Sequence, residues 1–240
     1  MATNGEVSER ELPNLGVTVI VATYNHAEYL PRCLRSLISQ HAEDFEFEII
    51  VVDDGSEDHT RQVLERFRNS ILRIDLEKNV GLPSALNRAI AVARHELIVR
   101  VDSDDFVNKN FLSFLRGYIE LNQDVAAVAC DYLIVDDKEA VVEFANCLEN
   151  EIACGVMFRK EALLKIGKYD EAFLLHEEKE LMVRFKREFT VDRLAIPLYR
   201  YRRHQNNMTN NETRMQEFDM MLRNKHGQLL GEEKKESSGV

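Results

Sequence analysis

Apolar positions along the chain change rhythm several times. Val17-Thr18-Val19-Ile20-Val21-Ala22 is a continuous β-branched run, which predicts a buried strand. Leu30, Cys33, Leu34, Leu37 and Ile38 then recur at helical spacing, with Pro31 in the first turn, where a missing N–H costs nothing. Glu48-Ile49-Ile50-Val51-Val52 predicts a second buried strand, closed by Asp53-Asp54-Gly55-Ser56. Val63, Leu64 and Phe67 mark a second helix, and Ile71 to Leu76 a short third strand. Leu82, Leu86, Ala89, Ile90 and Ala93 give a third helix. Leu97-Ile98-Val99-Arg100-Val101 gives a fourth strand that runs into Asp102-Ser103-Asp104-Asp105.

Strand and helix thus alternate three times before a further strand. That order predicts an α/β fold with a mostly parallel central sheet and helices on both faces. Ligands of such sheets bind outside the carboxyl ends of the strands. Three polar clusters fall at those ends: Thr23-Tyr24-Asn25, Asp53-Asp54, and Asp102 to Asp105. The second half is smaller and mixed. Phe111, Leu112, Leu115, Tyr118 and Ile119 form an amphipathic helix, and 125–135 with 141–144 read as a strand pair turning through Asp136-Asp137-Lys138. Cys154 to Phe158 is another strand, with helices expected near 160–166, 178–189 and 211–228. The polar start, 1–14, and the charged end, 231–240, read as flexible tails.

Composition narrows the function classes. The chain has 240 residues and a net charge of -11, which argues against a nucleic-acid binder, since phosphate backbones select basic surfaces. An anionic ligand therefore needs locally placed cations or a metal. Cys33, Cys130, Cys147 and Cys154 match no zinc spacing and read as buried thiols of a reducing compartment. No stretch approaches the roughly 20 apolar residues of a membrane span. Residues 1–14 lack the apolar core of a signal peptide. The expected location is the cytoplasm, with peripheral contact at a membrane surface left open.

The aspartates carry the chemistry. Carboxylates crowded at a strand end repel one another unless a cation lies among them, and Mg²⁺ or Mn²⁺ takes oxygen ligands from carboxylates and substrate phosphates. Asp102, Ser103, Asp104 and Asp105 are such a cluster; a solvated helix-capping turn is the plainer reading. Asp53 or Asp54 can accept hydrogen bonds from a base or ribose, although Asp53-Asp54-Gly55-Ser56 also suits a turn and helix cap. Tyr24 can stack on a base while Thr23 or Asn25 fixes an edge. Arg200, Arg202, Arg203 and His204 form a late basic stretch, suited to a diphosphate, with His204 also a candidate metal ligand.

Taken in order, these motifs resemble those of family 2 glycosyltransferases with the GT-A fold. The likeness runs through Val19 to Asn25, Val51 to Asp58, Asn79-Val80-Gly81 with Asn87, and Val101 to Asp105. It continues through Cys154 to Phe158, Gly167 to Glu171, His176 to Leu181 and Tyr201 to His204, covering about 15 to 208. It implies a Rossmann-like sheet whose first half, 15–105, binds a nucleotide sugar and whose second, 106–209, binds the acceptor; a helix and tail occupy 210–240. It further implies an inverting transferase using Mn²⁺ or Mg²⁺, with a nucleoside-diphosphate sugar, UDP-linked by family habit, as donor. The acceptor would be a hydroxyl of a saccharide, glycolipid or other molecule. By the same likeness Thr23, Tyr24, Asp54 and Asn87 lie around the nucleoside, Asp102 faces the ribose and Asp104 binds the metal.

One departure falls on the base. The family commonly has Glu-Asp before an acidic-Leu-Trp-Leu-Arg helix. This chain has Glu177-Glu178-Lys179-Glu180-Leu181-Met182-Val183-Arg184 and no Trp. Glu178 takes the place of the base, with Glu177 one register step away; partial burial is expected to raise the Glu178 pKa. Arg202 or His204 is expected to close over the diphosphate. Two other classes compete: a phosphotransfer receiver domain, disfavoured by the strand that precedes the Asp pair and by chain length, and a non-catalytic nucleotide-sugar binder on the same fold. No Gly-x-Gly-x-x-Gly follows the first strand, which disfavours a dinucleotide oxidoreductase.

Overall fold

The computed structural model describes residues 15–152, 154–204 and 212–230, without the side chains of 212–214 and 228–230. The expected flexible tails, 1–14 and 231–240, lie outside these residues. The first half follows the predicted alternation: β1 (Val17–Thr23), α1 (Leu30–Ile38), β2 (Phe47–Asp53), α2 (Thr60–Arg66), β3 (Leu72–Asp75), α3 (Leu82–Val92) and β4 (Leu97–Arg100). The second half comprises β5 (Phe106–Val107), α4 (Phe111–Leu121), β6 (Ala127–Val135), β7 (Val141–Ala145), β8 (Val156–Arg159), α5 (Lys160–Lys165), α6 (Glu177–Phe185), β9 (Val191–Arg202) and α7 (Glu212–Leu230). None of the described helices is long and apolar enough to cross a membrane.

A single nine-stranded sheet joins the two halves in the order β3-β2-β1-β4-β8-β6-β9-β5, with β7 paired to β6. β1, β2, β3 and β4 are mutually parallel, as expected. Beyond β4 the sheet is mixed: β8 runs antiparallel to both β4 and β6, and β9 runs parallel to β6. Strand alternation sends Val17, Val19, Val21, Ile49 and Val51 to one face, against α1, α2 and α4. Ile20, Ile50 and Val52 go to the other, against α3, α5 and α6.

Sequence reading missed β5 and β9. β9 carries Asp192, Arg193 and Pro197 among its apolar residues, which blurs any period. The sheet absorbs Pro197 through a register shift: Cys130 opposes Leu194, whereas Asp131 opposes Pro197. Asp131, buried, forks with Arg193 beside that irregularity (2.9 and 2.7 Å). The strand brings Tyr199 and Arg202 from the end of the chain to the aspartate cluster.

Candidate active site

The three polar clusters do meet on one edge. Thr23 pairs in register with Asp53 at the carboxyl ends of β1 and β2, and the Asp54 amide donates to the Thr23 carbonyl (2.9 Å). Asn25, in the left-handed region (φ 56°), stitches the two loops together. Its amide donates to Ser56 Oγ (3.0 Å), and its side-chain carbonyl accepts from the Glu57 and Asp58 amides. Gly55 (φ 76°) is required at this turn, because a Cβ there would stand 2.5 Å from the Lys78 carbonyl carbon. Tyr24, 41% exposed, projects from the edge, and the Thr23 hydroxyl is buried with no hydrogen-bond partner among the described residues.

Several residues expected at the nucleoside already have protein partners. Each Asp54 oxygen accepts a backbone N–H, from Val80 (2.8 Å) and Gly81 (3.0 Å). Burial raises its pKa, against the pull of those two amides. Asp53, fully buried, accepts from the Ser56 amide and pairs with Arg61. Asn87 donates to the Tyr169 carbonyl and to Glu171 and accepts from the Tyr169 amide, so it clamps α3 to the 169–171 loop. These three side chains shape the edge.

The loop after β4 holds the densest chemistry. Arg100 is a buried cation in an otherwise apolar strand. It forks onto Asp102 (2.6 and 3.2 Å) and reaches Glu177 at the start of α6 (2.8 Å). Asp105 is buried; it accepts from the Tyr199 hydroxyl and the Arg202 amide, both at 2.7 Å, and burial beside Asp104 and Asp102 pushes its carboxyl well up. Ser103 Oγ meets His26 Nδ1 at 2.7 Å. Asp104 Oδ2 meets His204 Nε2 at 2.9 Å, and the His204 ring stacks on Tyr29 (4.7 Å between centroids). Burial alone would raise the Asp104 pKa, but the His204 bond and the nearby His26 ring hold it below the ordinary range.

Two groups of side chains approach metal-ligand spacing here. The ligand atoms of Asp102, Asp105 and Cys154 lie within 4.8 Å of one another. Asp105, however, is committed to Tyr199 and Arg202, and burial pushes the Cys154 thiol well up, so neither presents a ready anion. Asp104 and His204 hold each other at 2.9 Å, and the Asp104 carboxylate is the hard oxygen donor of the kind that Mn²⁺ or Mg²⁺ takes.

Arg202, expected at the diphosphate, is engaged by protein groups. Its guanidinium donates to the Asp104 and Asp137 carbonyls and to Glu139, and the residue is 4% exposed. It braces the aspartate loop from behind. On α6, burial drives Glu177 up to about 7 despite Arg100. Glu178 departs from the expected rise: burial would lift it, but His176, the helix backbone and Arg100 together bring it below its ordinary value. The position where the family carries Trp is Met182, beside an apolar cavity of about 270 Å³ lined also by Cys130, Cys147 and Cys154. All four cysteines are free and buried, as expected.

Sequence reading missed Arg100, His26, Tyr29 and Tyr199. A lone Arg inside a β-branched run was a usable signal, because a buried guanidinium needs carboxylate partners. Nothing local announced the others: Tyr199 lies 97 residues from Asp102, and Tyr29 stacks on His204 from near the other end of the chain.

A family model described as glycosyl transferase family 2 matches residues 18–143. The poly(ribitol-phosphate) β-N-acetylglucosaminyltransferase TarS of Staphylococcus aureus is 42% identical over 106 residues, 43% of this chain and 18% of TarS. Glycosyltransferase GlyG of Streptococcus pneumoniae is 32% identical over 126 residues, 51% of this chain and 41% of GlyG. The chain thus spans less than half the length of either relative. In fold it is similar to S. aureus TarS 1-349 solved with UDP-GlcNAc (TM-score 0.70, 24% identity, 82% of this chain, 61% of that one). It is also similar in fold to the mannosyltransferase PcManGT of Pyrobaculum calidifontis, solved with GDP-Man and Mn²⁺ (TM-score 0.64, 18% identity, 80% of this chain, 58% of that one).

Proposed function

The chain belongs to glycosyl transferase family 2, and from that premise we propose that it transfers a sugar from a nucleoside-diphosphate sugar to an acceptor hydroxyl with inversion. The observation that carries this reading is the Asp104–His204 pair, drawn together across 100 residues at the edge where all three polar clusters meet. UDP is the preferred nucleotide, because TarS has been solved with UDP and with UDP-GlcNAc. Saccharide, glycolipid and polyol-phosphate hydroxyls are the acceptor classes.

Asp104 and His204 would hold a Mn²⁺ or Mg²⁺ ion, with Asp102 beside it. Bound there, such an ion would supply Lewis acidity for a departing diphosphate. Tyr24 stacks on the base from its exposed position, and the unpartnered Thr23 hydroxyl turns to the nucleoside. Arg100 keeps Asp102 in one orientation for the ribose. Ser103 and His26 fix the loop between the two aspartates. Glu178 takes the proton from the attacking hydroxyl: its side chain is 24% exposed, whereas Glu177 is 6% exposed and tied to Arg100. A depressed carboxylate pKa leaves Glu178 ionised at neutral pH, ready to accept that proton.

Calorimetry with UDP-GlcNAc tests the reading. Binding should require Mn²⁺, and Asp104→Asn should weaken it by about tenfold or more, on the scale of a lost charge-assisted contact. Undiminished wild-type binding in chelated buffer, or equal affinities of wild type and Asp104→Asn with Mn²⁺ present, would overturn the metal and donor assignments.

A further inference from the structure

His26 is pinned by its own backbone. Its carbonyl accepts from the Tyr29 and Leu30 amides (3.1 and 3.0 Å) and so starts α1, directly after the left-handed turn at Asn25. Its half-buried ring reaches the aspartate loop, 77 residues on, where Nδ1 meets Ser103 Oγ at 2.7 Å. The ring stands edge-on to Tyr29 and to His204, at 6.1 and 6.4 Å between centroids. His204 in turn bonds Asp104 (2.9 Å), so His26 belongs to the ring of side chains around that carboxylate.

Ser103 decides which nitrogen of His26 carries the proton. A serine hydroxyl has one proton to donate, and leaving it buried without an acceptor is costly. Ser103 is 2% exposed, and among the described residues the hydrogen-bond partner of its Oγ is His26 Nδ1. The hydroxyl therefore donates to Nδ1, which leaves the neutral ring with its proton on Nε2. Ring geometry points Nε2 away from Ser103, and among the described residues it meets no acceptor. Arg100 is committed to Asp102 and Glu177, and Arg202 to Asp104, Asp137 and Glu139. A chain of net charge -11 that takes an anion at this edge needs N–H donors there, and the His26 Nε2–H group is one.

We propose that His26 donates a hydrogen bond from Nε2 to a diphosphate oxygen of the nucleotide, in a tautomer set by Ser103. The bond holds the diphosphate beside Asp104 without adding charge to the loop. The diphosphate contact rests on this edge being a nucleotide-sugar site; the tautomer does not.

Two measurements on the full chain keep these apart. Long-range ¹H–¹⁵N spectroscopy of metal-free protein labelled at histidine, with His26 assigned from a His26→Gln variant, reads the tautomer. The neutral ring should carry its proton on Nε2; a proton on Nδ1 overturns the proposal whatever binds. Calorimetry with UDP and with uridine, both in Mn²⁺, reads the contact. His26→Phe should weaken UDP about tenfold, the scale of a hydrogen bond to a charged group, and leave uridine within about twofold. His26→Gln, whose amide can accept from Ser103 and still donate, should recover most of that loss. Ser103→Ala breaks the same loop bond but keeps Nε2, and should cost less UDP affinity than His26→Phe. If the wild type binds UDP and His26→Phe binds it within about twofold, the contact fails and the nucleotide site stands. Equal losses for UDP and uridine, or for His26→Phe and Ser103→Ala, reduce His26 to a brace of the loop and overturn the contact. If His26→Gln is as impaired as His26→Phe while both unfold at the wild-type temperature, donation from Nε2 is overturned. Wild-type protein that does not bind UDP removes the nucleotide site and this inference with it.

Discussion

Arg100→Met removes the guanidinium from the middle of a buried three-residue ion cluster and keeps most of its stem. Asp102 loses a two-pronged partner at 2.6 and 3.2 Å, and Glu177 loses one at 2.8 Å. The Asp102 side chain is 26% exposed, so water screens that half; the Glu177 side chain, 6% exposed, carries the larger penalty. Breaking a buried pair by deleting one member costs about 3–5 kcal/mol, and partial exposure of Asp102 argues for the lower end, about 3. At about 2–4 °C per kcal/mol for a chain of this size, the unfolding temperature should drop by about 6–12 °C near neutral pH.

The pH dependence gives the sharper check. Glu177 is raised from an ordinary 4.5 to about 7 in the folded protein. Below 4.5 folded and unfolded states are both protonated at this group. Between those values the folded state keeps a proton that the unfolded state releases, so the contribution of Glu177 to stability falls as pH rises through this window. Without Arg100 the carboxyl is pushed higher still, and at about pH 5.5 it sits protonated and neutral. The Arg100→Met penalty should therefore shrink at about pH 5.5 and be largest at about pH 8.5, with Glu177→Gln removing most of the difference. Thermal and urea unfolding of the wild type, both single variants and the double variant at those two values reads this directly. An unfolding temperature lowered by less than about 2 °C at the alkaline value, or single-variant losses that simply add, would refute the coupling.

Three further outcomes follow. Asp54→Ala strands the Val80 and Gly81 amides and should destabilise by about 2–4 kcal/mol in urea, at two charge-assisted bonds lost; a loss below about 0.5 kcal/mol would remove its anchoring role. Glu180→Gln should open a protease-sensitive site in α7, since Arg184, Lys225 and His226 lose their shared anion; an unchanged cleavage pattern would show that the Phe218–Leu222 contacts suffice. Arg202→Lys should lower stability with little change in the affinity for UDP, because its planar fork bridges Asp104, Asp137 and Glu139; a selective loss of UDP affinity would return Arg202 to the diphosphate.

The first half of the fold was legible because each strand is a continuous apolar run and each helix repeats at its own period. Strand ends then placed Thr23, Asp53 and Asp102 on one edge without reference to any contact. Legibility ended where side chains choose among partners. Asp54 and Asn87 read as ligand contacts, yet the nearest hydrogen-bonding groups are the Val80 and Gly81 amides and the 169–171 loop. Arg202 read as a cation awaiting phosphate, yet its guanidinium finds three acceptors from two loops. β9 escaped because Pro197 and the Asp131–Arg193 pair break its alternation. With β9 unseen, no sequence rule could bring Tyr199 to Asp105. Met182 was visible as a departure from Trp, but the cavity beside it depends on α6 packing over β6 and β8.

The stereochemistry of transfer distinguishes direct displacement from retention. Wild-type protein with Mn²⁺, UDP-GlcNAc and a panel of saccharide and polyol-phosphate acceptors should form a glycoside, with its anomeric configuration read by ¹H NMR against the donor. The product should have the opposite anomeric configuration to the donor sugar, and its formation should fall by about a hundredfold in Glu178→Gln. A product that retains the donor configuration would contradict direct displacement with Glu178 as base.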